Sequence, residues 1–150
     1  MNFSMKKIRT VGCFMEYNSK FLILLRQAYK PDGNTWGLPA GKPNVGESDV
    51  DAMLREIDEE TGYKTQASEL KLLGVHVFEY PDLYLEFPTY QLKLNKSFKV
   101  VHRPEEHVEY RWVSAQECDA MPDLIRGFHE LLRRVGFIKK TASDQSVDAG

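Results

Sequence analysis

Along most of the chain apolar side chains alternate or cluster in short blocks bounded by turn residues, and in two places they switch to a three-to-four spacing. Near the start, KIRTVGCFME (Lys7–Glu16) and KFLILLRQ (Lys20–Gln27) flank Tyr17-Asn18-Ser19, a pattern that predicts two paired strands. Ala28–Thr35 carries Pro31, Asp32, Gly33 and Asn34, which predicts a long loop. A short extended piece at Trp36–Pro39 follows, then a loop at Gly41–Gly46. Leu70–Tyr80 and Tyr84–Leu94, joined by Pro81-Asp82-Leu83, predict a second antiparallel pair, and Glu109–Val113 a further short strand. In Pro122–Val135, Leu124, Ile125, Phe128, Leu131 and Leu132 recur at helical spacing and predict a C-terminal helix.

The other helical stretch has marked ends. Ser48 can cap it, Asp51 stands three places on, and Gly62 can take the left-handed conformation that closes a helix. On a wheel of about 100° per residue, Val50, Leu54, Ile57 and Thr61 form the stripe expected to be buried, while Glu56, Glu59 and Glu60 share another face. Like charges at this spacing repel by about 0.2–0.5 kcal/mol per pair, and no lysine at i+4 relieves them. A solvated acidic face is the ordinary explanation. A hard divalent cation is the other, since Mg²⁺ prefers carboxylate oxygens together with substrate phosphates. Strands with two helices that cannot both cover one face predict an α/β fold, a mixed sheet between helical layers.

Composition narrows the setting. With 150 residues, 42% hydrophobic and 28% charged, the chain is expected to form one domain over 1–140, with a loose polar tail at 141–150. A net charge of −2 without a lysine-arginine block gives little electrostatic support for a stable nucleic-acid partner. No run approaches the roughly 18 apolar residues of a membrane span, and MNFSMKKIRTVGCF lacks the apolar core of a signal peptide. Cys13 and Cys118 are isolated and read as packed thiols, which suits a reducing cytoplasm. His76, His102, His107 and His129 have no metal-like spacing and read as surface or packing residues.

From Gly41 to Tyr63 the chain reads GKPNVGESDVDAMLREIDEETGY. The pattern Gly-x5-Glu-x7-Arg-Glu-U-x-Glu-Glu-x-Gly-U, with U a bulky apolar residue, is filled by Gly41, Glu47, Arg55, Glu56, Ile57, Glu59, Glu60, Gly62 and Tyr63. Only Tyr63 departs, being aromatic where an aliphatic is usual. This segment is similar to the Nudix box, and Trp36-Gly37-Leu38-Pro39-Ala40 and Tyr110-Arg111-Trp112-Val113 also resemble Nudix features. The chain thus resembles a MutT-like Nudix hydrolase from Lys6 to about Phe137.

The resemblance implies an α/β/α sandwich with a mixed sheet, and hydrolysis of the diphosphate bond in a nucleoside diphosphate linked to another group, using Mg²⁺ or Mn²⁺. It implies Glu56, Glu59, Glu60 and the Gly41 carbonyl as metal ligands, with one glutamate, in the position of Glu56 or Glu60, as proton acceptor for the attacking water. Arg55 and Glu47 would pair to orient the carboxylates. In some branches the base comes from a later loop. Here Glu106 is the preferred member of His102–Glu109, because Glu106-His107-Val108-Glu109-Tyr110-Arg111-Trp112 resembles a segment of branches acting on dinucleoside polyphosphates; a solvated turn is the alternative. Arg26 and Lys42 are candidate phosphate grips, against the simpler reading of solvated cations. Phe78, Tyr80 and Tyr84 are candidate base-stacking residues or core, and Tyr80 lies at about the spacing that marks the dinucleoside polyphosphate branch.

The expected substrate is therefore a small nucleotide, with dinucleoside polyphosphates or (d)NTPs ahead of ADP-ribose and nucleotide sugars. Pro81 falls later than the proline that marks the ADP-ribose branch. A non-catalytic nucleotide-binding domain of the same fold is the rival from another class, although such domains generally lose box carboxylates that this chain retains. Many relatives are homodimers.

Overall fold

The run expected as one strand at Lys7–Glu16 is two: β1 (Lys6–Arg9) and β2 (Val11–Tyr17), interrupted at Thr10. Both lie parallel to β7 (Leu83–Lys93), with Lys6 opposite Leu83 and Gly12 opposite Thr89. Gly12 is required by space. A Cβ there would fall 2.2 Å from the Phe87 ring, which crosses the strand at that point. The structure is a computed structural model that describes residues 5–139, so the tail expected at 141–150 lies outside the described residues.

Asn18 and Ser19, at φ 52° and 63°, turn β2 into β3 (Lys20–Arg26). β3 pairs antiparallel with β8 (His107–Val113), and β6 (Leu70–Tyr80) with β7. β2 and β3 pair only next to their turn, at Glu16–Phe21 and Tyr17–Lys20. Beyond that they diverge, and Trp36–Gly41 fills the gap. β4 (Trp36–Gly37) pairs with β3, the Cys13 N–H donates to the Pro39 carbonyl at 3.1 Å, and β5 (Ala40–Gly41) pairs with β2. Among the described residues the result is one mixed sheet of 8 strands.

Neighbouring strand residues point to opposite faces, so Cys13 and Met15 serve one layer and Phe14 the other. On the first face α1 (Asp49–Thr61) packs Ala52, Met53 and Ile57 against Val11, Leu22, Leu24 and Leu92. On the second, α2 (Ala115–Asp119) and α3 (Phe128–Arg134) pack Cys118, Phe128, Leu131 and Leu132 against Phe14, Phe21, Ile23 and Phe78. Each fully buried apolar side chain contributes about 1.5–3 kcal/mol relative to exposure. The architecture is the expected α/β/α sandwich.

Three expectations need correction. The C-terminal helix is shorter than Pro122–Val135: Trp36 donates to the Asp123 carbonyl at 2.9 Å and accepts from the Ile125 N–H at 2.8 Å, so the backbone there extends the sheet. The helix α2, started by a Ser114/Glu117 capping box, was not anticipated. The buried stripe of α1 is rotated from that expected. Met53 and Glu60 are buried, while Val50 and Leu54 are only partly so.

Candidate active site

The helix α1 starts and stops where its caps dictate: the Asp51 N–H donates to the Ser48 hydroxyl at 3.1 Å, and Gly62 sits at φ 79°. Between them Arg55 organises the acidic face. Its Nε and Nη2 donate to the two Glu47 oxygens at 3.0 and 2.9 Å, and its Nη1 donates to Glu56 at 2.7 Å and Glu59 at 3.2 Å. Nη2 also donates to the Lys42 carbonyl at 3.1 Å, which ties the loop after β5 to the helix. The forked guanidinium suits this task in a way that a point-charge ammonium does not.

Gly41 lies directly against Glu56. A Cβ at position 41 would stand 2.2 Å from the Glu56 carboxyl carbon, so any side chain there has to displace that carboxylate. Next to it, the Ala40 N–H donates to Glu60 at 2.9 Å. The wedge between β2 and β3 thereby brings a glycine backbone and two helix carboxylates to one place.

Crowding and burial set the electrostatics. Glu60, 7% exposed, is pushed well above the usual carboxylate range by burial, against the Ala40 N–H, with the charges of Glu56 and Glu106 pushing the same way. Glu56 is raised by burial, with Arg55 opposing and Glu59 and Glu106 adding to the rise. Glu47 is lowered by its hydrogen bonds from Arg55. Glu106, just before β8, is lowered by Lys30, whose ammonium donates to it at 2.9 Å. Its effect on Glu56 and Glu60 places it within electrostatic reach of both.

Sequence reasoning missed several members. His107 is more than a packing residue. It is buried with Nε2 3.9 Å from Glu60, and burial followed by the charge of Arg26 pushes it down to about 4, so it is neutral at pH 7. Lys30 was also unannounced. A lysine in a loop has no partner until the loop at 102–106 is folded against it, as Gln27 and Tyr29 do through the carbonyls of Pro104 and Glu105.

Of the expected substrate residues, Arg26 pairs with His107 across β3–β8 and donates through Nε to the Pro31 carbonyl at 2.9 Å. Its charge acts on Glu60. Lys42 is exposed beside Gly41. Tyr80 lies apart, against the α3 layer, with the Arg126 guanidinium 4.3 Å from its ring centroid. Phe78 is core, and Tyr84 lies under the Lys7 ammonium.

The donors fit a hard cation: carboxylate oxygens of Glu56, Glu59 and Glu60 and a backbone carbonyl at Gly41, with a net excess of negative charge. Among the described residues no three acidic, histidine or cysteine side chains already converge as a ligand set. Arg55 draws Glu56 and Glu59 toward itself instead, and Ala40 holds Glu60.

The NUDIX domain model matches residues 6–134. The asymmetrical bis(5′-nucleosyl)-tetraphosphatase of Mus musculus is 34% identical over 106 residues, covering 67% of this chain and 69% of that protein. A Caenorhabditis elegans relative is 39% identical over 54 residues, 36% of this chain but only 15% of that protein's length. Among solved structures, a MutT protein of Methanosarcina mazei Go1 superposes with a TM-score of 0.75 at 25% identity, covering 89% of this chain and 96% of that one. The chain belongs to the Nudix hydrolase family.

Proposed function

We propose that this chain hydrolyses a diphosphate bond in a nucleoside diphosphate linked to another group, using Mg²⁺ or Mn²⁺, with dinucleoside polyphosphates and (d)NTPs as its favoured substrates. The observation that carries the reading is the seating of Gly41 against the Glu56 carboxylate on the face of α1 where Arg55 gathers Glu47, Glu56 and Glu59. Glu56, Glu59, Glu60 and the Gly41 carbonyl would hold the cation, which when bound supplies Lewis-acid neutralisation of phosphate charge.

The chain's own groups do the rest. Glu56, Glu60 or Glu106 accepts the proton of the attacking water; burial raises Glu56 and Glu60, which the charge of a bound cation would counter, while the Lys30 ammonium holds Glu106 low. Arg55, braced by Glu47, fixes the rotamers of Glu56 and Glu59, an outer-shell task. Arg26, whose charge reaches Glu60, and Lys42, next to Gly41, would supply cations to phosphate oxygens. The preference for dinucleoside polyphosphates is supported by the Glu106–Trp112 segment and by the name of the mouse relative. Buried free thiols at Cys13 and Cys118 suit a reducing compartment.

The test is phosphate release with Mg²⁺ across dinucleoside tetraphosphates, dNTPs including oxidised dGTP, and ADP-ribose, with products coupled to pyrophosphatase or phosphatase. Turnover of one class, lost with EDTA and in Glu56→Gln, is expected. Silence of folded, metal-supplied protein on the whole panel would count against hydrolysis and for a nucleotide-binding domain.

A further inference from the structure

The segment that carries Glu106 is fastened from β3. Leu25 lies opposite Glu109 and Arg26 opposite His107, so Val108 is the extra residue of a β-bulge, a device that re-aims neighbouring side chains. One rung further on, the Gln27 N–H donates to the Glu106 carbonyl at 3.0 Å. The Gln27 side-chain amide donates to the Pro104 carbonyl at 2.7 Å, and the Tyr29 hydroxyl to that of Glu105. From the other side, the N–H groups of Glu106 and His107 both donate to the Arg103 carbonyl, at 3.0 and 2.9 Å. The backbone of Glu106 is thus held at both its N–H and its carbonyl, which leaves its side chain to be fixed.

That side chain stands where its charge is disfavoured. The charge of Glu106 acts on both Glu56 and Glu60 of α1, and like charges within reach of one another favour any arrangement that parts them. A glutamate on an exposed turn can part from them by swinging into solvent. The Lys30 ammonium, which donates to Glu106 Oε1 at 2.9 Å, opposes that swing, with the charges of Arg26 and of protonated His107 acting the same way. The turn that presents the ammonium is closed by the Lys30 N–H donating to the Gln27 carbonyl at 3.1 Å, so one short segment grips the backbone of Glu106 and its carboxylate together. Arg55 orders Glu47, Glu56 and Glu59, and the Ala40 N–H holds Glu60. Lys30 does the same for Glu106.

Resting on the hydrolase reading above, we propose that Lys30 is a positioning residue for the reaction: its ammonium holds the Glu106 carboxylate beside the α1 cluster, where Glu106 takes the proton of the attacking water. In that step a water O–H bond breaks and its proton passes to Glu106, while the water oxygen bonds to phosphorus. The P–O bond of the linkage breaks, and its electron pair leaves on the bridging oxygen. Glu56, Glu59 and Glu60 are committed to the cation in that reading, so Glu106 is the carboxylate left free to accept a proton. Lys30 also keeps it ionised, holding it below the usual carboxylate range. Lys30 itself touches none of the reacting atoms. The two side chains are 28% and 38% exposed, and an ion pair so open to water contributes little to stability, so the fold should tolerate its loss.

The experiment measures steady-state kinetics with Mg²⁺, on whichever nucleotide the wild type turns over, for Lys30→Met, Lys30→Arg, Glu106→Gln and the double variant Lys30→Met/Glu106→Gln. Lys30→Met keeps the aliphatic stem and removes the charge. It should lower kcat about tenfold, the low end of what losing an outer-shell partner costs, and leave KM and the melting temperature nearly unchanged. Lys30→Arg should recover most of kcat, since a guanidinium can supply the single charge-assisted hydrogen bond. Beside Glu106→Gln, Lys30→Met should cost nothing further, because the two residues act as one unit. A raised KM with unchanged kcat, or an equal loss in both backgrounds, overturns the proposal; the first would mark Lys30 as a direct grip on substrate phosphate. A ¹³C NMR titration of the Glu106 carboxyl, which needs no substrate, separates the two readings. Lys30→Met should move its midpoint up toward the ordinary glutamate value, and a midpoint that stays put sinks the clamp. If the midpoint moves but the wild type turns over no nucleotide, the hydrolase reading fails and takes the catalytic role of Lys30 with it, while the contact stands.

Discussion

Glu56 meets opposing demands: half-buried, raised by burial and by Glu59 and Glu106, yet hydrogen-bonded by Arg55 at 2.7 Å and pressed against Gly41. Replacing it with Gln keeps the volume and removes the charge. Turnover should fall by about 10²–10⁴-fold in steady-state assays, with the fold intact by circular dichroism. Glu60 gives a pH signature. Its folded-state pKa lies above the ordinary value of 4.5, so above pH 4.5 the native state holds a proton that the unfolded chain has released. Its contribution to stability therefore falls as pH rises from 4.5 to the raised value and then levels off. Glu60→Gln removes this loss, so in urea melts with a chelator present the variant should gain on the wild type as pH rises through that window. A constant difference from pH 4.5 to 8 would contradict the burial argument.

At the scale of elements, two motif glycines do different work. Gly62 ends α1 at φ 79°, a conformation costing other residues about 1–2 kcal/mol, and Val101 stands 3.3 Å from where its Cβ would be. Gly62→Ala should lower the melting temperature by several degrees and leave kcat nearly unchanged. Gly41 carries no such constraint of φ; its constraint is the Glu56 carboxylate. Gly41→Ala should therefore displace Glu56 and cut kcat/KM by about 10–100-fold, the range for disturbing groups that orient a metal site, with a smaller effect on stability. Equal effects of both substitutions on activity and melting would show that the two glycines are not distinguished in this way. The ends of α1 were legible in the sequence because caps are local. The shortened α3 was not, because Trp36 claims backbone groups of Asp123 and Ile125 that are remote in the chain.

For the whole molecule, the acidic cluster is a site of stored repulsion that a bound cation should relieve. A ligand that binds only the native state at 100 times its Kd stabilises by about 2.7 kcal/mol. Mg²⁺ should therefore raise the melting temperature of the wild type in a concentration-dependent way and do so much less in Glu56→Gln, as scanning calorimetry would record. The sequence alone determined the α/β class, the β6–β7 pair and the turn between β2 and β3, the caps of α1 and the identity of Glu47, Arg55, Glu56, Glu59 and Glu60, since periodicity, capping and motif spacing are properties of contiguous residues. It also singled out Glu106. Only the tertiary structure decided that Glu60 is buried, that His107 lies beside it, and that Lys30 pairs with Glu106. Each of those facts depends on the divergence of β2 from β3 and on loops folded across it, and contacts between residues dozens of positions apart leave no periodic trace in the chain.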